Sequence, residues 1–349
     1  MSRVGKQRIT ECLLSISGYF LQYKKQIIIY IKRGIVRRTT MPESQQILEI
    51  LKTYYKINII TVEFLRDVGG ISYIISDNNQ KYLLKIIKQA FINTCKQSID
   101  IMIYLANQDF PVPKIIRTED EKPYVITDEN GIEIVYVLFE FIEGREPELG
   151  EKIEEIGELT GKLHVFMKKY DGKLTVRDRS FFIDRYIDIL RRKKYPEEKL
   201  SFFIQYGNEL WGNIKDLPKG YCHGDLHRGN LLLTQFGSIY MFDFDTSCYA
   251  FPVFDIVVMC DATNYFDFDI QGFNTTTSIY QQFLKGYIKY NSLTDLEISA
   301  FYKLIAVHHY QLQATIIELF GLDCIDEKFI DNQRTWLMNW REQCKQLLY

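Results

Sequence analysis

Tyr221-Cys222-His223-Gly224-Asp225-Leu226-His227-Arg228-Gly229-Asn230, followed shortly by Met241-Phe242-Asp243-Phe244-Asp245, decides how the chain is read. The first run is too rich in glycine and polar side chains to be a helix. Leu231-Leu232-Leu233 and Ile239-Tyr240-Met241-Phe242 read as two short strands around a turn at 234–238. A hairpin brings its ends together, so Asn230 and Asp243 should sit side by side, with Asp225 just ahead of them. An amide and a carboxylate facing each other, with a second carboxylate nearby, suit Mg²⁺. This hard cation takes oxygen ligands and keeps phosphate oxygens in its shell.

His-Gly-Asp-x-x-x-x-Asn followed by Asp-Phe-Asp resembles the aminoglycoside phosphotransferase/choline kinase-like superfamily, the small-molecule relatives of protein kinases. Protein kinases carry His-Arg-Asp-x-x-x-x-Asn and Asp-Phe-Gly. Gly224 and Asp245, at the two places that differ, favour the small-molecule branch. A lone His-Gly-Asp is a weak signal, and the second acidic motif at hairpin distance makes the pair specific. The resemblance implies an α+β, bilobal protein-kinase-like fold. A small β-rich N-lobe would occupy 41–143, and a mainly helical C-lobe with the catalytic and metal-binding loops 144–349. It implies ATP and Mg²⁺ as cofactors, Asp225 as the catalytic base, and Asn230 and Asp243 as metal ligands. Its implied acceptor is a hydroxyl of a small molecule.

The chain has 349 residues, 46% of them hydrophobic, enough for a sizeable core and against disorder. Net charge is −2, which argues for no nucleic-acid partner. Charge is uneven, however: residues 1–40 hold nine basic residues and one acid, so this segment is +8 and the remainder −10. Its apolar runs are split by Gln22-Tyr23-Lys24-Lys25-Gln26. Neither approaches the roughly 20 residues that span a bilayer, so no transmembrane segment is expected. The segment reads as a basic N-terminal extension, a loosely docked tail or an arm that touches a membrane or nucleic acid, with the fold beginning near Met41. The seven cysteines are scattered without a Cys-x-x-Cys pair, which fits a cytoplasmic protein. Composition sets no oligomeric state.

In chain order, residues 42–55 read as a helix with Ile47, Leu48, Ile50, Leu51, Tyr54 and Tyr55 on one face. Strands follow at 57–66, 73–76 and 81–87, with a glycine turn at Gly69-Gly70 and a hairpin turn at 77–80. Glycines let backbone N–H groups approach phosphate oxygens, so Gly69 and Gly70 are candidates to lie over a triphosphate. An ordinary hairpin turn would look the same. Lys85 sits in the third strand, where the resemblance implies a cation on the α- and β-phosphates. A lone strand lysine can also be an edge charge. Kinases pair this lysine with a glutamate on the next helix. Here the helix at 91–108 offers only Asp100. Glu140 to Ile142 resemble the interlobe hinge, whose backbone would bond adenine. His164 is expected to pack or hydrogen-bond rather than catalyse, and Asp255 to brace the catalytic loop. His223 is expected to bond backbone; His227 and Asp245 are candidates for substrate or metal contact.

Asp261, Asp267 and Asp269, interleaved with Tyr265, Phe266 and Phe268, read either as an acidic aromatic wall for a cationic amine or amino alcohol, or as an exposed loop. The Pro111-Val112-Pro113 turn, His-Gly-Asp-Leu-His and Phe-Asp-Phe-Asp also resemble the spore-coat-associated kinase-like branch, which implies a spore-linked role. The missing helical glutamate leaves a second expectation, a catalytically weak pseudokinase or spore-coat scaffold.

Overall fold

The computed structural model describes residues 41–67, 70–88, 91–129 and 131–346. The basic extension at 1–40 and Gly69 lie outside them. The strands expected at 57–66, 73–76 and 81–87 lie in one antiparallel sheet of six: β1 (Thr61–Asp67), β2 (Ile71–Ser76), β3 (Lys81–Lys88), β4 (Ile115–Ile116), β5 (Val125–Glu129) and β6 (Ile132–Glu140). The order is β1-β2-β3-β6-β4, with β5 also on β6. The β2–β3 turn closes because the Asp77 carboxylate accepts the N–H groups of Asn79 (2.7 Å) and Gln80 (2.8 Å), a side-chain mimic of a backbone turn.

Alternation gives the sheet two apolar faces. Tyr73, Ile75, Leu84, Tyr136 and Leu138 meet Ile47, Ile50, Leu51 and Tyr55 of α1 (Met41–Tyr55) in a satellite core. Leu48 and Tyr54, expected on that face, are exposed. Each lies one residue, roughly 100° of helix turn, from a buried position. On the other face Ile87, Val135, Val137 and Phe139 join α2 (Ile92–Ala106) and the helical half in one continuous core.

That half contains α3 (Ile153–Met167), α4 (Arg185–Arg192), α5 (Glu197–Ile214), α6 (Val253–Cys260), α7 (Ile270–Tyr287), α8 (Asp295–Phe320) and α9 (Glu327–Gln346). A Cβ on Gly286 of α7 would lie 1.9 Å from the Glu154 carbonyl of α3, so the two backbones touch. This approach brings the Tyr287 hydroxyl to His164 Nδ1 at 2.9 Å. Among the described residues no helix is long and apolar enough to cross a membrane.

Three short strands escape the sequence reading because two or three residues carry no usable periodicity. β7 (Thr175–Val176), β11 (Cys248–Ala250) and β8 (Gly220–Cys222) form a small sheet in that order. β8 runs into His223 and β11 follows Asp245, so this sheet clamps both ends of the decisive stretch. Between them lies the expected hairpin, β9 (Leu231–Leu233) and β10 (Ile239–Met241).

Candidate active site

The hairpin closes as its sequence dictates. The Phe242 N–H donates to the Asn230 carbonyl at 3.1 Å, which sets Asn230 beside Asp243. The hairpin is anchored on both flanks. Arg145 and Leu233 exchange backbone bonds of 3.0 and 2.7 Å, and the Met241 N–H donates to the Pro111 carbonyl at 2.9 Å.

The loop ahead of it is held from below. One oxygen of the buried Asp255 accepts the His223 N–H at 2.7 Å and the other accepts the Gly224 N–H at 2.9 Å. His164 Nε2 lies 3.1 Å from the same carboxylate. His223 Nε2 donates to the Phe242 carbonyl at 3.1 Å, and its ring packs on Phe244. Burial lowers the His223 pKa, against the pull of the Asp255 and Asp225 carboxylates, so its ring bonds in the neutral form. Gly224 takes φ +84° and has no room for a side chain. Asp243 also takes a left-handed φ, +65°, a strained backbone of the kind that clusters at functional sites.

Asp225 is half-buried in front of this frame. The Asn230 Nδ2 donates to its carbonyl at 2.8 Å and lies 3.4 Å from its carboxylate. A carbonyl can only accept, so the nitrogen of the amide faces Asp225 and its oxygen faces away, free in direction to take a cation. His227 Nδ1 accepts the Gly229 N–H at 3.0 Å. In the neutral ring the proton therefore sits on Nε2, which lies 3.4 Å from the Asp225 carboxylate.

Lys85 reaches into the cleft from β3. Its ammonium lies 3.2 Å from Asp243 and 2.5 Å from Asp245. Burial alone would pull the Lys85 pKa down, but these two carboxylates outweigh it and hold the group above the ordinary lysine value. Asp243 is the mirror case. Burial would raise its pKa, and Lys85 and Arg66 together hold it below the usual carboxylate range, near 2.

The sequence expectation of Asp100 as the partner of Lys85 is corrected. Asp100 is exposed on α2 and lies toward Tyr170. The helix face toward the cleft is Cys95, Ser98, Ile99 and Met102. Asp100 directly follows this face and is rotated off it. Asp245 of the second acidic motif supplies the carboxylate instead.

Leu83, Pro113, Phe139, Met102 and Phe242 line the apolar end of the same cleft. Glu140 follows Phe139 of this lining at the end of β6. Both its N–H and its carboxylate are engaged by the Lys114 backbone, at 2.9 Å each. Ile142 lies just past the strand and Gly70, φ +137°, at the start of β2. Arg66 was not anticipated. It lines the cleft and lies 3.5 Å from Asp243.

The three acids after α6 separate. Asp261 is buried, accepting the Tyr265 hydroxyl and the Thr263 N–H (2.8 Å). Tyr265 in turn bonds His308 Nδ1 at 2.7 Å. Asp269 caps α7 through the Gln271 N–H at 3.0 Å. Only Asp267 and Asp269 are exposed, so the three do not form one wall.

Among the described residues no three His, Cys, Asp or Glu side chains gather closely enough to hold a metal by themselves. Asn230 and Asp243 offer one amide and one carboxylate oxygen, a donor set of the kind that a hard cation shares with phosphate oxygens. Two cationic side chains, Lys85 and Arg66, are drawn onto Asp243.

The chain is 25% identical over 305 residues to an amicoumacin kinase of Bacillus subtilis (strain 168), covering 81% of this chain and 88% of the relative. Its fold matches a solved amicoumacin kinase in complex with AMP-PNP, Ca²⁺ and Ami, with a TM-score of 0.68, 21% identity, and 86% of this chain and 94% of the other covered. It also matches the microcompartment-associated aminopropanol kinase at a TM-score of 0.60 and 17% identity, over 87% of this chain and 97% of the other. Residues 66–297, which include Lys85, the catalytic loop and the second acidic motif, match the model of the phosphotransferase enzyme family, and the chain belongs to that family.

Proposed function

We propose that this protein transfers the γ-phosphoryl group of Mg·ATP to a hydroxyl of a small molecule, and that the acceptor carries an amine. The observation that carries the reading is the convergence of three separate parts of the chain: the loop that holds Asp225 and Asn230, Asp243 beside it across the hairpin, and Lys85 on Asp243. Phosphoryl transfer asks mainly for positioning and charge neutralisation. Asp225, held through its own backbone by Asn230, orients the acceptor hydroxyl and takes its proton at the carboxylate. The His227 ring beside it steadies that carboxylate through Nε2. Lys85 holds the phosphates from above, and the Gly70 backbone ahead of β2 lies over them. The apolar end of the cleft encloses the base, with the backbone around Glu140 and Ile142 at its edge. The Asn230 amide oxygen and the Asp243 carboxylate would hold Mg²⁺, which when bound neutralises the phosphate charge.

Support for a nucleotide and a divalent cation comes from the solved amicoumacin kinase with AMP-PNP and Ca²⁺. Support for an amine-bearing acceptor comes from relatives and neighbours that are kinases of amicoumacin, aminopropanol and choline. The scaffold alternative rested on a missing acid for Lys85, and Asp245 fills that place.

Purified protein with Mg²⁺ and γ-labelled ATP, screened against hydroxylated amines, tests the reading. Asp225→Asn should abolish labelling of the acceptor while ATP binding persists. Transfer that survives this substitution would overturn the mechanism.

A further inference from the structure

Arg66 reaches the cleft through an irregularity in β1. Val62 pairs with Ile75 and Phe64 with Tyr73, both residues of the satellite core beneath α1. Strict alternation would send Arg66 to that same apolar face. The register instead slips between Phe64 and Arg66, with Leu65 as the extra residue. A bulge of this kind re-aims the next side chain. Arg66 then pairs with Ser72, Ser72 with Lys85, and all three line the cleft in one row across three strands. The guanidinium lies 3.5 Å from the Asp243 carboxylate.

The two cations on Asp243 are not equivalent. The Lys85 side chain is 12% exposed and holds a second carboxylate, Asp245, at 2.5 Å. The Arg66 side chain is 41% exposed, and Asp243 is the one acid recorded within ion-pair distance of it among the described residues. A divalent cation held by Asp243 would repel both; Lys85 would keep its place on Asp245, whereas Arg66, with no second acid in reach among the described residues, would be free to turn within the same cleft. A guanidinium is a rigid fork that matches phosphate oxygens in pairs.

We propose that Arg66 is a second phosphate-binding residue. Its guanidinium pairs with Asp243 and turns to the terminal phosphates of a bound nucleotide. This rests on the kinase reading above. It goes beyond it by assigning to a bulged strand residue the discrimination between nucleotides with and without terminal phosphates.

The test measures binding rather than turnover. Wild-type protein, Arg66→Met and Arg66→Lys are titrated by calorimetry with ATP, ADP and AMP in the presence of Mg²⁺, and separately with Mn²⁺ alone. Arg66→Met should weaken ATP about tenfold, the scale of one charge-assisted pair, and leave AMP within about twofold. Arg66→Lys, which keeps the charge and loses the fork, should fall between. With its competitor gone, Asp243 in Arg66→Met should bind Mn²⁺ alone more tightly. A merely structural role would weaken all of these ligands together, and that result would overturn the proposal. So would an unchanged preference for ATP over AMP. Wild-type protein that binds no ATP would instead remove the kinase reading on which the proposal stands.

Discussion

The Cβ that Gly224 lacks would lie 2.4 Å from the carbonyl oxygen of Thr246. Thr246 follows the second acidic motif, and its hydroxyl donates to the His223 carbonyl at 3.0 Å. The loop at 223–230 and the second acidic motif are thus packed backbone to backbone at Gly224, one of the two places where these motifs differ from the protein-kinase pattern.

Gly224→Ala should therefore fail twice, on a left-handed φ of +84° and on contact with a carbonyl that cannot retreat. The expected loss is about 3 kcal/mol or more, above the usual cost of alanine in that conformation because of the clash. Urea unfolding would show it as a lower midpoint, with activity lost. A midpoint within experimental error of wild type would mean that the two segments separate at little cost.

Asp255 supports the same loop from beneath. Both carboxylate oxygens are used by backbone N–H groups, and His164 adds a third contact. Asp255→Asn keeps one acceptor oxygen and turns the other position into a donor facing an N–H. We expect a loss of about 3 kcal/mol, the range for a broken buried charged network. In protein that remains folded, kcat should fall further than ATP affinity. His164→Gln, which retains a donor, should cost less. Equal stability of Asp255→Asn and wild type in thermal melts would count against the brace.

Asp100 and Asp245 offer a direct comparison. Asp100→Asn should leave ATP affinity unchanged, because the residue is exposed and directed away from Lys85. Asp245→Asn removes the nearer carboxylate on a buried ammonium. It should weaken ATP binding by about tenfold, through a Lys85 no longer held in place. Calorimetric titration of both variants would check this, and the reverse order would restore Asp100 as the partner.

His309 gives a pH dependence remote from chemistry. The ring is fully buried and stacked on Trp336 at 4.4 Å. Burial lowers its pKa to about 3, with the neighbouring Gln333 side chain pulling the other way. The folded protein therefore excludes a proton that the unfolded chain accepts near its ordinary pKa of about 6.5. The stability of the neutral ring is fully present above that value and is lost as pH falls toward about 3, at about 1.4 kcal/mol per pH unit. His309→Phe keeps the stack and removes the titration. Denaturant midpoints of the two proteins should diverge as pH falls, by about 2 kcal/mol between pH 6.5 and 5. Parallel pH profiles would show that the ring titrates without cost in place.

The sequence by itself determined the parts that live in short spacings. Strand-forming runs between turn signals marked β1, β2 and β3, helical periodicity marked α1, and two polar motifs separated by a hairpin marked Asp225, Asn230 and Asp243. The third-strand Lys85 followed from its place after the glycine turn. The tertiary structure alone decided which charges meet. Lys85 and Asp245 are 160 residues apart, and their contact depends on how β3 lies over the hairpin. Asp100 was excluded by the rotation of one helix, and Asp261 was drawn into a buried network by Tyr265 and His308. Arg66 was invisible because a single extra residue in β1 reverses the face of every side chain beyond it. Such a bulge leaves no periodic trace in seven residues of strand.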